Sequence, residues 1–534
     1  MTAGRLDGPK TDADADLGAV APPARAGAGG VVTGIAQARR PLGASIVRVG
    51  LVLALAFGAL AGGAGYWQVV EAVPLSRAPD NPAVVAAARN AIRGEIVDRD
   101  GAWLARSDQR DPNGEPYRRY RDPSTSPVIG YASRQFGTAG LERAYDAQLV
   151  GIARPDPVSD LLKKFDADPY DPQDLQLSLS LSLQRTAVRL LGKDRGAIVI
   201  LNPKTGEVLA LASTPTYDAS DIANPATAAD AFARLRGDDS LPLLPRATQG
   251  RYIPGSVFKI VTAMAALDSG AVSPSTNFPD QPKAERDGLL VDGFRIRDGH
   301  HPFTGNQALD FAEATEVSCN IWYAKAGLAA GPQALADTAE RLGFGEAIPF
   351  DLPLGPSQVT NGGGPLPAGF KDRVELANAA YGQGETVVTP FQMALVAATI
   401  ANDGTLMKPH LVTKMTGEKS GTETIGPEAW RQVVPPQVAD EITVGMQRAV
   451  EGQYGRLFTT GADIPGVATA GKSGSAEIDG SSQPHSWFIG FAPVQDPQVA
   501  IAVVVERAGR GAERAAPLAG QMMKAALDEM KNGG

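Results

Sequence analysis

Three apolar segments set the strongest constraint on the fold. Ala197-Ile198-Val199-Ile200-Leu201 and Val208-Leu209-Ala210-Leu211-Ala212 flank the turn sequence Asn202-Pro203-Lys204-Thr205-Gly206. Val499-Ala500-Ile501-Ala502-Val503-Val504-Val505 lies near the other end of the chain, after Trp487-Phe488-Ile489-Gly490-Phe491. Runs that are apolar at every position and rich in β-branched residues read as strands covered on both faces. The first two segments read as a hairpin. Between these ends the patterned segments are mostly helical: 226–235, 308–317 and 395–402, the last stopped by Asp403-Gly404. A last helix opens at Pro517, with Leu518, Met522, Leu527 and Met530 on its apolar side. Strands at both ends of a helical middle call for one sheet made from both ends. The helical part is then an insertion, with a cleft between the two.

The N-terminus points to a compartment. Residues 1–43 are rich in Ala, Gly, Pro and Asp and read as disordered. Residues 49–70 carry no charge, which is long enough to span a bilayer, and Tyr66 and Trp67 sit at the far end. Arg39, Arg40 and Arg48 precede the apolar run, while only Glu71 and Arg77 follow closely. The positive-inside rule puts the N-terminus in the cytoplasm and the bulk of the chain outside a plasma membrane. Five glycines suit a buried core helix poorly. Ala59-Leu60-Ala61 resembles a signal-peptide cleavage site, but the long leader favours an uncleaved anchor. The expected divisions are a leader over 1–48, an anchor over 49–70, a linker and small domain over 71–172, and a large domain over 173–534.

Composition excludes several function classes. The net charge of −9 and pI near 5.2 argue against nucleic acid as a partner. A single cysteine, Cys319, excludes a disulfide framework and a cysteine-rich metal centre. The four histidines, His300, His301, His410 and His485, show no helical metal-ligand spacing. No metal and no cofactor are expected.

In chain order, 77–91 reads as a linker with Pro79 and Pro82. Arg93-Gly94-Glu95-Ile96-Val97-Asp98-Arg99-Asp100-Gly101 reads as a strand entering an Asp-Gly turn, with 102–105 returning. A polar stretch follows. Gly140-Leu141-Glu142 opens a short helical pattern ending near Gly151. Residues 175–181 alternate like a half-buried strand, and 183–191 read as a helix stopped by Gly192.

The chemistry centres on Tyr252-Ile253-Pro254-Gly255-Ser256-Val257-Phe258-Lys259. After the two breakers, Pro254 and Gly255, no breaker follows until Gly270, so a buried helix is expected with Ser256 in its first turn. Lys259 then shares a face with Ser256. A serine hydroxyl needs a base to become a nucleophile. An ammonium has no lone pair, so Lys259 is that base only if burial or a nearby cation lowers its pKa. Ser-x-x-Lys alone is a weak signal. Two further motifs strengthen it: Ser318-Cys319-Asn320 in a helical region, and Lys472-Ser473-Gly474 on a strand. Decoys exist. Ser275-Thr276-Asn277 sits in a proline-bounded loop, and Lys419-Ser420-Gly421 in a polar stretch without a strand pattern.

Ser-x-x-Lys, Ser-x-Asn and Lys-Thr/Ser-Gly in this order resemble the signature of penicillin-binding proteins and serine β-lactamases. Arg93 to Arg99, Gly140-Leu141-Glu142, Asn202 to Gly206, Gly382-Gln383-Gly384 and His485-Ser486-Trp487-Phe488 resemble further stretches of the penicillin-binding proteins. The chain looks most like the short, class B, penicillin-binding protein A type, with Ser473 where threonine is commoner. The resemblance implies an α/β transpeptidase domain, an antiparallel sheet covered by helices with a helical subdomain, on a small pedestal domain. It implies a D,D-transpeptidase that cross-links peptidoglycan stem peptides and is acylated by β-lactams.

Residue by residue, the resemblance makes Ser256 the nucleophile and Lys259 the general base. Ser318 relays a proton, Asn320 holds the peptide amide, and Lys472 presents a positive charge that lowers the pKa of Lys259. Ser473 and Ser475 bind the substrate carboxylate beside Gly474, and the N–H groups of Ser256 and Ser475 form the oxyanion hole. A lipid II polymerase is the partner class it suggests. Rival readings are a D,D-carboxypeptidase or β-lactamase, in which water replaces the acceptor amine, and a non-catalytic β-lactam sensor or cell-wall scaffold. Cys319 reads as a small packed residue rather than a rival nucleophile.

Overall fold

The computed structural model describes residues 42–67, 92–151, 171–298, 301, 307–362, 364–459, 461–478 and 483–532. The leader before residue 42 and the linker 77–91 lie outside the described residues. The chain divides into two units, Met1–Ser76 and Arg77–Gly534.

In the first unit, helix α1 covers Leu42–Gly65. Its stretch Ser45–Gly65 has a mean hydropathy of 2.0, and none of it is buried within the protein. By length and composition it can cross a membrane. The helix starts ahead of Arg48, which the sequence pattern left outside the apolar run. One arginine does not interrupt helical hydrogen bonding, and its long stem can carry the charge away from an apolar surface.

The second unit opens with β1 (Ile96–Val97), β2 (Trp103–Arg110) and β3 (Pro116–Tyr120). The stretch expected to be merely polar thus continues β2 and supplies β3. Two short helices follow, α2 (Gly140–Ala144) and α3 (Asp146–Val150), the latter closed by Gly151 in the left-handed conformation. Strand β4 is Asp174–Leu177. It is shorter than the alternation suggested, because Ser180 caps the next helix, α4 (Leu181–Leu191), by accepting from the Leu183 N–H. The hairpin is β5 (Gly196–Leu201) and β6 (Val208–Thr214).

The helical middle contains α5 (Lys259–Asp268), α6 (Gln281–Asp287), α7 (Phe311–Glu316), α8 (Asn320–Arg341) and α9 (Pro390–Ala401). Then come β7 (Val412–Gly417), β8 (Gly421–Thr424) and α10 (Pro436–Glu451). The chain closes with β9 (Ala470–Ala476), β10 (His485–Ala492), β11 (Val499–Val505) and α11 (Ala515–Asn532). This last helix begins two residues ahead of Pro517.

The main sheet has the order β9-β10-β11-β5-β6, and every neighbouring pair is antiparallel. Both ends of the chain do build it, with β11 beside β5. Its doubly apolar strands have a simple cause. Along β11, Val499, Ile501, Val503 and Val505 join the core formed with α4 and α11. Ala500, Ala502 and Val504 join the core on the opposite face, where α9 lies buried along its whole length.

A second, mixed sheet has the order β8-β7-β4-β1-β2-β3, with β1 and β4 parallel. It takes strands from both sides of residue 172. Its floor is ionic. Glu142 is fully buried, with Arg93 Nε 2.8 Å and Arg118 Nε 2.6 Å from its two oxygens, and the Tyr120 hydroxyl donates at 3.2 Å. Two motif fragments far apart in sequence, around Arg93 and Glu142, therefore form one buried network.

Candidate active site

Ser256 lies in a 3-10 turn, Gly255–Phe258, that runs directly into α5. It is not in the first α-helical turn, as the pattern suggested. The difference favours the chemistry, because residues three apart eclipse in a 3-10 turn and Ser256 and Lys259 share one edge. Two anchors hold the segment ahead of it. Trp487 Nε1 donates to the Ile253 carbonyl at 3.0 Å. The Tyr252 hydroxyl donates to Glu506 Oε1 at 2.9 Å, and Arg246 and Arg195 pair with the same carboxylate.

Glycines let three segments meet here. Gly255 has φ +56°, and its N–H donates to the Gly382 carbonyl at 2.9 Å. A Cβ on Gly382 would lie 1.9 Å from the Gly255 oxygen. A Cβ on Gly474 would lie 3.0 Å from the Pro254 oxygen and 3.1 Å from Val257. The edge strand β9, which carries Lys472, Ser473, Gly474 and Ser475, is thus pressed against the turn that carries Ser256. Ser475 Oγ accepts from the Gly511 N–H at 3.1 Å.

The opposite wall is the turn between α7 and α8. Ser318 adopts φ +62°, a strained conformation for a side-chain-bearing residue. Lys259 Nζ donates to the Ser318 carbonyl, to Ser318 Oγ at 3.2 Å and to Asn320 Oδ1 at 2.7 Å. It also sits 5.5 Å from the centre of the Tyr323 ring. The structure therefore joins the first two motifs directly through Lys259.

Both lysines are buried. Burial brings Lys259 from 10.5 down to about 8, against the opposing pull of Asp298. Burial and the neighbouring Lys259 hold Lys472 well below the ordinary lysine range. Repulsion between two ammonium groups is mutual, so the pair resists carrying two protons. The family resemblance implied that Lys472 lowers the Lys259 pKa; burial is the larger cause.

The decoys stay apart from this cluster. Lys419 does have strands around it, since it occupies the hairpin turn between β7 and β8, but these belong to the second sheet. Its N–H donates to Asp171 at 3.0 Å. Ser275 lies in a surface loop beside Ser273.

Residues 196–524 match the family model for the penicillin-binding protein transpeptidase domain. This chain belongs to that family. Residues 93–169 match the penicillin-binding protein A dimerisation domain. Among curated proteins, this penicillin-binding protein is 34% identical over 511 residues to peptidoglycan D,D-transpeptidase PbpA of Mycolicibacterium smegmatis, covering 91% of this chain and 99% of that one. PbpA of Mycobacterium tuberculosis is 33% identical over 488 residues, covering 86% and 94%. Among solved structures, the penicillin G acyl-enzyme complex of penicillin-binding protein A from M. tuberculosis superposes with a TM-score of 0.70 at 32% identity, over 82% of this chain and all of that one.

Two features of this penicillin-binding protein escaped the sequence. Glu506 anchors Tyr252 and Arg246 from the end of β11, and no local pattern signals that. Asp298 sits close enough to oppose the drop in the Lys259 pKa. Cys319 is fully buried, and burial, Asp298 and Glu285 push its thiol well above the usual range, which keeps it protonated and a poor nucleophile. The expectation of no metal rested on sequence spacing. In the fold, Glu285, Asp298, His301 and Cys319 converge from separate segments.

Proposed function

We propose that this penicillin-binding protein is a peptidoglycan D,D-transpeptidase working through an acyl-enzyme on Ser256. The observation that carries the reading is the contact of Lys259 with Ser318 and Asn320 on one side of the nucleophile turn, with the Lys472 strand pressed on the other. Neutral Lys259 takes the Ser256 proton as Oγ attacks the carbonyl of the penultimate D-alanine of a stem peptide. The N–H groups of Ser256 and Ser475 hold the oxyanion. As the intermediate collapses, the proton passes through Ser318 Oγ to the leaving D-alanine amine. Asn320 holds the peptide amide. Lys472, Ser473 and Ser475 receive the terminal carboxylate. The amine of a second stem peptide then attacks the ester, which gives the cross-link and frees Ser256. A β-lactam enters as the donor does, but its opened ring remains attached.

The chain is organised as a leader, an anchor, a pedestal domain to residue 172 and a transpeptidase domain beyond it. The reading extends to a single-pass anchor in the plasma membrane, a cytoplasmic leader and an extracytoplasmic catalytic domain. The arginines ahead of the apolar run support this orientation. A lipid II polymerase is the expected partner, because cross-linking consumes newly made strands. The test is fluorescent penicillin on membranes. Ser256→Ala should abolish labelling and leave thermal stability within about 0.5 kcal/mol of wild type. Undiminished labelling of that variant would overturn the assignment.

A further inference from the structure

We propose that Glu316 and Glu451 set the width of the cleft by fastening both of its walls to one end of helix α10. The inference rests on the roles proposed for Ser256, Ser318 and Lys472. Glu316 is the last residue of α7, two residues before Ser318. Thr469, which Glu451 holds, lies one residue ahead of β9 and three ahead of Lys472.

The Ser318 wall is held through Glu316, which is 2% exposed. Its Oε2 accepts from Arg448 Nε at 2.9 Å and from Arg448 Nη2 at 2.7 Å. Its Oε1 accepts from the Tyr454 N–H at 2.8 Å and the Gly455 N–H at 3.3 Å. Arg448 belongs to the last turn of α10, and Tyr454 and Gly455 follow directly after that helix. The Arg448 side chain is 41% exposed, so solvent weakens the ion pair. The two backbone N–H groups are the firmer hold, because a buried carboxylate left without donors is costly. The approach is close. A Cβ on Gly452 would lie 2.4 Å from Glu316 Oε1, and one on Gly445 would lie 3.2 Å from Thr315 Cβ.

The Lys472 wall is held through Glu451, the last residue of α10. Its Oε1 accepts from the Thr469 N–H at 2.7 Å, and Gln447 Nε2 donates to its Oε2 at 2.9 Å. Thr469 is fully buried, so its N–H needs a partner within the protein.

Arg448 and Glu451 are three residues apart and neighbours on one helix face. Any shift of that turn is therefore felt at both walls. Between them lies Lys259. Ser318 Oγ touches it at 3.2 Å on one side, and Lys472 lies near enough on the other for its own pKa to feel Lys259. The shared helix end makes two separate contacts into one strut across the back of the cleft. Glu316 and Glu451 are positioning residues, since neither is assigned a contact with substrate. Rate depends steeply on such placement, because a misplacement of about 1 Å costs about 10²-fold.

The experiment uses full-length protein in detergent. Mass spectrometry follows the rate of penicillin acylation, counts the molecules that can be acylated, and maps the acyl group to Ser256. Glu316→Ala and Glu451→Ala should each slow acylation of the competent molecules by about 10- to 100-fold. Each should also move the acid limb of the pH profile upward, because a wider cleft buries Lys259 less. The double variant should be no more than about threefold slower than the slower single, since either cut releases the strut. Glu451→Gln keeps an acceptor for the Thr469 N–H and should stay within about twofold of wild type. Gly452→Ala crowds Glu316 with its carboxylate in place, and should reproduce the loss and the limb shift if Glu316→Ala does not fold. Wild-type rate and limb in the alanine variants would overturn the strut. So would losses that multiply in the double variant, or Glu451→Gln as slow as Glu451→Ala. Wild type without an acyl group on Ser256 would instead overturn the roles on which the strut rests.

Discussion

The pH dependence of acylation tests how Lys259 becomes a base. The drop in its pKa from 10.5 to about 8 corresponds to ~3 kcal/mol, mostly the cost of keeping an ammonium away from water. With that pKa, about 1% of Lys259 is neutral at pH 6, about 9% at pH 7 and about 50% at pH 8, and only the neutral form accepts the Ser256 proton. The second-order rate of acylation by penicillin should therefore rise about ninefold from pH 6 to 7, about fivefold from 7 to 8, and less than twofold from 8 to 9. Stopped-flow loss of intrinsic fluorescence or gel-based labelling would measure it. An ordinary lysine would give a tenfold rise per pH unit up to about pH 10. A profile that climbs without a bend to pH 10 would refute burial as the activating device. A flat profile would refute Lys259 as the base.

Three further outcomes probe the surrounding structure. Lys472→Ala should slow acylation by about 10²-fold and move the acid limb to higher pH by less than about one unit, because burial leads over charge at Lys259, while Lys419→Ala should match wild type in the same assay. Gly474→Ala puts a methyl group against Pro254 and Val257, and should cost about 1–3 kcal/mol in urea unfolding and at least tenfold in acylation rate. Glu142→Gln leaves Arg93 and Arg118 facing a neutral group and should cost about 3–5 kcal/mol in the same unfolding measurement. Burial pulls the Glu142 carboxyl upward, but Arg118 and Arg93 outweigh it and hold it below the usual range. Its contribution is therefore present above the ordinary carboxylate pKa and lost only as pH falls through the depressed value.

What the sequence made legible was whatever repeats along one element. The doubly apolar strands were readable because each face of β11 has its own helical cover. The breaker-free run after Gly255 was readable because α5 is buried on all sides. Ser256 and Lys259 were readable as a pair because three residues separate them. The extra strand β3 was not, since Pro116–Tyr120 is rich in charge and buries only Arg118 and Tyr120 against the ionic floor around Glu142. The strands beside Lys419 were hidden for a related reason, as β8 is exposed at every position and carries no apolar alternation. Convergence across segments was the other blind spot. Glu506 reaches Tyr252 from the far end of β11, and His301 meets Glu285 and Cys319 from three places in the chain. No spacing rule marks such residues, because their distances are set by packing.

That distinction bears on how the site works. A lysine is useful as a base at neutral pH only when it is dry, and Lys259 is dry only when three separate segments close over it. Gly382 admits the Gly255 carbonyl, Gly474 admits Pro254 and Val257, and the left-handed Ser318 turns its oxygens toward the ammonium. On the proposed mechanism, only Ser318 among these contributes a reacting atom. Ser318 contacts Nζ directly, and the two glycines set the position of the turn that leads into Lys259. Substitutions that loosen any of the three contacts should then move the acid limb of the rate profile upward as well as slow the reaction. A residue that acts only by holding substrate should lower the rate at every pH alike. The bend in the profile separates the two kinds of residue, and the expected outcome is that the glycines fall with Lys259.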